Sequence, residues 1–93
     1  MEEKIMTLHP QGKQGVNILK RRYDMVKDCI LEIISERGSI SFRELTDEVI
    51  NRLTGKFDGK LVWYVVTVKL DLEARGTIER IPKKSPQMVR IKG

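Results

Sequence analysis

At 93 residues the chain is one domain's worth of sequence, and its 40% apolar residues can build one hydrophobic core without a disulfide framework. Its longest apolar run, Leu61 to Val66, is far below membrane-spanning length, and the acidic start Met1-Glu2-Glu3 lacks the basic n-region of a signal peptide. The single cysteine, Cys29, rules out an internal disulfide and a Cys-based zinc site, so the expected setting is the reducing cytoplasm, with no membrane partner.

The formal charge of +5 is unevenly placed. Residues 1–22 carry five bases against two acids, a local +3, and residues 77–93 carry five bases against one acid, a local +4. The body between them holds eight bases and ten acids, a local −2. Basic ends on a neutral body suit a polyanion gripped by peripheral elements, although basic termini also serve solubility alone.

Residues 1–17 show no sustained period, and the breaker-rich stretch His9-Pro10-Gln11-Gly12-Lys13-Gln14-Gly15 predicts an irregular arm with a turn near Pro10. Residues 18–93 then form the domain. With Asn17 as N-cap, Leu19, Tyr23, Val26, Ile30 and Ile33 recur at helical spacing up to Gly38, predicting a first helix over 18–37. Its far side carries Asp24, Asp28, Glu32 and Glu36 as a solvated acidic stripe. Ser39-Ile40-Ser41 reads as a strand-like connector. Ser41-Phe42-Arg43-Glu44 has the form of a capping box, opening a second helix whose stripe is Phe42, Leu45, Val49 and Leu53 and whose end is Thr54-Gly55.

Leu61, Val65, Val68 and Leu72, closed by Gly76, predict a third helix over 60–75, against the local strand preference of Val65-Val66-Thr67-Val68. Beyond Gly76, Ile78 with Ile81 and Val89 with Ile91 predict a hairpin whose tip is Lys83-Lys84-Ser85. The expected core is Tyr23, Val26, Ile30, Ile33, Phe42, Leu45, Val49, Leu61, Val65, Val68, Leu72 and Ile78.

Three helices, a short connector between the first two and a closing hairpin make a mainly α fold with a small β-hairpin, in the order of a winged helix-turn-helix domain, which the chain resembles. The segment most specific to the resemblance is Leu72-Glu73-Ala74-Arg75-Gly76-Thr77-Ile78-Glu79-Arg80, similar to the end of the recognition helix and the start of the wing in many bacterial winged-helix regulators. His9-Pro10-Gln11-Gly12-Lys13, Trp63-Tyr64 and Lys69-Leu70-Asp71-Leu72 further resemble a family of small, largely uncharacterised bacterial winged-helix proteins. The resemblance implies a three-helix bundle plus a C-terminal wing, with the exposed face of the third helix entering the major groove of double-stranded DNA and the basic wing meeting phosphate. Lys60, Lys69, Arg80, Lys83, Lys84 and Arg90 are then the expected DNA contacts, mainly to the backbone, in a chain acting as a transcriptional regulator. The same face offers few of the Arg, Asn or Gln side chains that read base edges. It presents Trp63 and Leu70 instead, which are costly to leave in water and are expected to dock against the arm, a second subunit in a homodimer, or another protein.

Other motifs carry no chemistry. Gly55-Lys56-Phe57-Asp58-Gly59-Lys60 is one residue short of a phosphate-binding P-loop, has Leu61 in place of Ser/Thr and follows no strand. His9 has no Cys or His partner for a metal and no evident nucleophile, and Cys29 lies beside an apolar stripe as an inert thiol. No catalytic residue, metal site or cofactor is expected. Two classes of function remain: DNA binding, placed ahead, and a protein-interaction module that uses the apolar side of the third helix.

Overall fold

Pairing between two short N-terminal segments, rather than side-chain period, decides the first element. The structure, a computed structural model, describes residues 2–83 and 85–93. Lys4–Met6 (β1) and Asn17–Leu19 (β2) form a two-stranded antiparallel ribbon with Ile5 opposite Ile18. The arm read as irregular is therefore built, and β2 runs across the boundary drawn at residue 17 directly into the first helix. Strands of three residues leave almost no alternation to detect, and their register rests on backbone bonds. Between the strands the chain turns at Pro10, where Gly12 N donates to His9 O at 2.9 Å. It closes where Thr7 N donates to Val16 O at 2.8 Å and Val16 N to the Thr7 hydroxyl at 2.9 Å. Gly15 is required there, because a Cβ would stand 1.7 Å from Thr7 O.

The first helix, Lys20–Arg37 (α1), starts two residues later than its period suggests. Asn17 is committed to β2, and the backbone carbonyl of Glu3 accepts from Lys20 N at 2.9 Å, so the ribbon does the work of a cap. Ser39–Ser41 (β3) leads into Phe42–Leu53 (α2). The Ser41 hydroxyl accepts from Glu44 N at 3.1 Å, as the capping box requires. The Glu44 carboxylate lies 3.0 Å from that hydroxyl rather than on the Ser41 backbone, which belongs to a sheet.

Leu61–Arg75 (α3) is helical through its β-branched centre because Val65, Val68 and Leu72 are all buried on one side. Gly76, at φ 77°, ends it in the left-handed conformation, with Thr77 N donating to Leu72 O at 2.9 Å. Ile78–Arg80 (β4) and Met88–Ile91 (β5) form the hairpin, and β3 pairs with β5 to give the antiparallel order β3-β5-β4. Three helices and short antiparallel strands make this a mixed α/β molecule, for which "mainly α" is too narrow.

The core joins all three helices to the sheet. Of the expected core residues, ten are buried, while Phe42 and Leu61 are partly buried at its margin. Ile18, Cys29, Ile34, Ile40, Tyr64 and Val89 complete it. No described helix is long and apolar enough to cross a membrane.

Candidate functional site

The C-terminal half of α3 is covered from two sides. On one flank the ribbon crosses it: Leu8 N donates to Asp71 Oδ1 at 2.8 Å and the Arg75 guanidinium reaches Met6 O at 3.4 Å. Asp71 is fully buried, and its carboxylate also accepts from the Tyr23 hydroxyl and from Arg75 Nε at 2.9 and 3.0 Å. Burial, reinforced by Asp71, pushes the Tyr23 hydroxyl well above its ordinary pKa. One carboxylate thus ties α1, α3 and the ribbon together.

On the other flank the C-terminal hairpin folds back. Gln87 O accepts from Phe42 N at 2.9 Å, and Gln87 Oε1 lies 2.5 Å from Lys69 Nζ. Lys69, expected to face DNA, is only 2% exposed. It is held 2.6 Å from Glu73 and stands 4.6 Å from the centroid of the Phe42 ring. Burial pushes its ammonium below the ordinary lysine value while Glu73 opposes that shift. Helical spacing puts Lys69 at the edge of the outer face, but the returning hairpin seals that edge.

Two more of the expected DNA contacts are also engaged. Arg80 Nε lies 3.1 Å from Glu73, and Arg90 Nε lies 2.7 Å from Glu79 directly across the hairpin. Lys60 and Lys83 are exposed and have no ion-pair partner among the described residues, and Lys84 lies outside the described residues.

The N-terminal half of α3 is where the helix reaches solvent. Val62, Trp63 and Val66 are exposed at 55, 44 and 38%. The Trp63 ring packs edge-on against Tyr64 with centroids 4.9 Å apart, and Tyr64 in turn meets Phe57 at 5.1 Å. The Tyr64 hydroxyl is fixed by Arg22 at 3.0 Å, and Arg22 and Arg21 both bind Asp58. Trp63 therefore stands on a braced support. Beside it, Thr7, Leu8 and Val16 of the ribbon and Trp63, Thr67 and Leu70 of α3 enclose a cleft of about 150 Å³. His9, Gln14 and Gly15 complete its wall, and no Asp or Glu lines it. Leu70 is half-buried against this ribbon wall, whereas Trp63 lines the cleft but keeps a little under half of its surface exposed, so the arm meets only part of the docking expected for the pair. A wider depression over α2 is edged by Glu44, Asp47 and Glu48, but Arg37 pairs with Glu48 at 3.2 Å inside it.

Among the described residues no group of three His, Cys, Asp or Glu side chains converges as a metal site would. Cys29 is buried, and burial raises its thiol pKa, away from the reactive thiolate. The signals that sequence reading passed over were Asp71, a charged residue three positions after core Val68, and the cross-strand pair Glu79 with Arg90.

Residues 4–89 match the model of the Family of unknown function (DUF6958), and the chain belongs to that family. No curated protein matches it.

Proposed function

We propose that this member of DUF6958 is a winged-helix interaction module that docks a protein partner on the outer face of α3. The scaffold reading is supported by the element order and by the sheet in which β3, between α1 and α2, joins the C-terminal hairpin. The docking reading is carried by the composition of the accessible face: Val62, Trp63 and Val66 project there, and no Arg, Asn or Gln stands among them. A base-reading helix needs such side chains along its exposed length. Here Lys69 is sealed inside, and Arg80 and Arg90 are each held by a carboxylate. Exposed aromatic and aliphatic side chains on a rigid helix are instead the anchors that protein interfaces use.

Transcriptional regulation by direct reading of a DNA sequence is the weaker reading. A second, sequence-independent contact with DNA phosphates is favoured by Lys60 and Lys83, which have no ion-pair partner among the described residues, and by the chain's pI of about 9.6.

The test uses a photocrosslinking residue at position 66 in living cells, beside a duplex-DNA anisotropy titration across salt concentrations. Adducts that are destroyed by protease and resist nuclease, with duplex binding that is weak and indifferent to sequence, are expected. Nuclease-sensitive adducts, or tight discrimination between duplexes that persists at high salt, would refute the docking reading.

A further inference from the structure

We infer that His9 is a pH-sensitive latch on the ribbon turn, which closes the turn while the imidazole is neutral and releases it, with the ribbon wall beside Trp63, once the ring gains a proton. The latch is independent of what α3 docks. Local sequence sets up the contact. Pro10 has no N–H, so Gln11 carries the first amide after His9, and Gln11 N donates to His9 Nδ1 at 3.1 Å. An Asn or Asp side chain closes a turn in the same way, on the amide two residues ahead. Gly12 N donates to the His9 carbonyl at 2.9 Å, so two consecutive amides of the turn converge on this one residue.

An imidazole nitrogen accepts a hydrogen bond only while its lone pair is free. The Gln11 bond therefore requires the neutral ring, with its proton on Nε2. Protonation converts Nδ1 into a donor and sets two donors against each other. Histidine is the side chain whose charge ordinarily changes between about pH 5 and 8, so the bond is present above that range and is lost as pH falls through it.

The surroundings do not hold a charged ring in place. His9 is half-buried in the wall of the cleft, where α3 presents Trp63, Thr67 and Leu70 and no carboxylate, so an imidazolium gains no counter-ion there. The charged groups on the adjoining chain are Lys13 in the turn and, on α3, Asp71 and Arg75. Asp71 and Arg75 pair with each other at 2.9 Å and hold Leu8 N and Met6 O. They anchor the chain just before His9, and the Thr7–Val16 bond closes it behind Gly15. Release of the latch therefore loosens residues 9–15 and leaves β1 seated on α3.

The chain's single histidine makes the test direct. The imidazole signals and backbone amides of the full-length protein are followed by NMR from about pH 8 to 5, beside acrylamide quenching of Trp63. The Gln11 amide shift should move with the ring, and its exchange protection, corrected for intrinsic rates, should fall about fivefold. Trp63 should become more quenchable while the Leu8 amide stays protected. His9→Asn, an acceptor with no proton to gain, should hold the turn closed across the range, and His9→Ala should show the loosened turn already at the alkaline end. Each variant is checked for a native amide spectrum. A ring that titrates while the Gln11 amide and Trp63 stay unmoved overturns the inference, as does a ring that remains neutral throughout. The same step persisting in His9→Asn would assign it to Asp71 or another carboxylate and also overturns it. A Gln11 amide as protected in His9→Ala as in the parent chain would show that the imidazole bond holds nothing.

Discussion

Asp71 is the residue whose replacement reports most directly on how the ribbon is held. Its carboxylate accepts from the Tyr23 hydroxyl, from Arg75 Nε and, at 2.8 Å, from Leu8 N, with no exposure to solvent. Asp71→Asn keeps the shape, removes the charge and replaces one acceptor oxygen by a donor. Hydrogen bonds to a charged group are each worth about 1.5–3 kcal/mol. The Arg75 side chain is 37% exposed, so water screens its share to under about 1 kcal/mol. The Tyr23 hydroxyl can reverse and accept from the new amide, and the remaining oxygen can still serve Leu8, which recovers part of the loss. The expected cost is roughly 2–3 kcal/mol, a fall in Tm of about 10–20 °C for a domain of this size. Urea and thermal unfolding measure it. A local signature separates the ribbon from the fold: proteolysis between Thr7 and Val16 should quicken and Trp63 should become more quenchable by acrylamide, well below the melting range. Tyr23→Phe, which removes the hydroxyl and spares the Leu8 bond, should cost about 1.5–3 kcal/mol and yet leave the ribbon protected. A change below about 0.5 kcal/mol for Asp71→Asn, or equal loosening of the ribbon in Tyr23→Phe, would show that this carboxylate does not hold the ribbon.

Ile33→Ala, at a position with no solvent exposure, should cost about 2–5 kcal/mol by urea unfolding, and a smaller value would mean that the site collapses around the cavity. Gly15→Ala forces its methyl group into Thr7 O and should raise both ribbon proteolysis and Trp63 quenching; an unchanged pattern would refute the close approach. If duplex DNA binds weakly, Lys60→Ala with Lys83→Ala should flatten the salt dependence by about two ions, equally for all sequences, whereas Lys69→Met should not change it. The Tyr23 hydroxyl has a raised pKa in the folded state, so the unfolded chain loses that proton first. Its contribution is complete below about pH 10 and is lost as pH rises toward the folded value, a decline in urea midpoint that Tyr23→Phe should reduce.

What the sequence discloses and what it conceals follow from the range of the interactions. Helix period, the Ser41 cap and Gly76 are local signals, and they place α1, α2 and α3 within two residues of the structure. The period is strong enough to overrule strand preference at Val65–Val68, because burial of a whole stripe outweighs a propensity worth at most about 1 kcal/mol per residue. The ribbon is invisible by the same logic, since β1 and β2 hold three residues each and are joined by a turn whose closure depends on Gly15 meeting Thr7. Lys69 is the instructive case for function. Spacing alone puts it at the rim of the outer face, where a lysine suggests phosphate. Whether it faces water is decided by Gln87, eighteen residues away, at the start of the strand that returns beside α2. The same return engages Arg80 with Glu73, so the basic character of the C-terminal segment is partly spent within the fold. The apolar side of α3, by contrast, was legible because nothing compensates it: Trp63 and Leu70 lie two turns apart on one side of the helix, and the ribbon shelters the second while leaving the first open. An open helix face that is aromatic and aliphatic offers few of the side chains that read the edges of base pairs, and that much of the face follows from helical spacing alone.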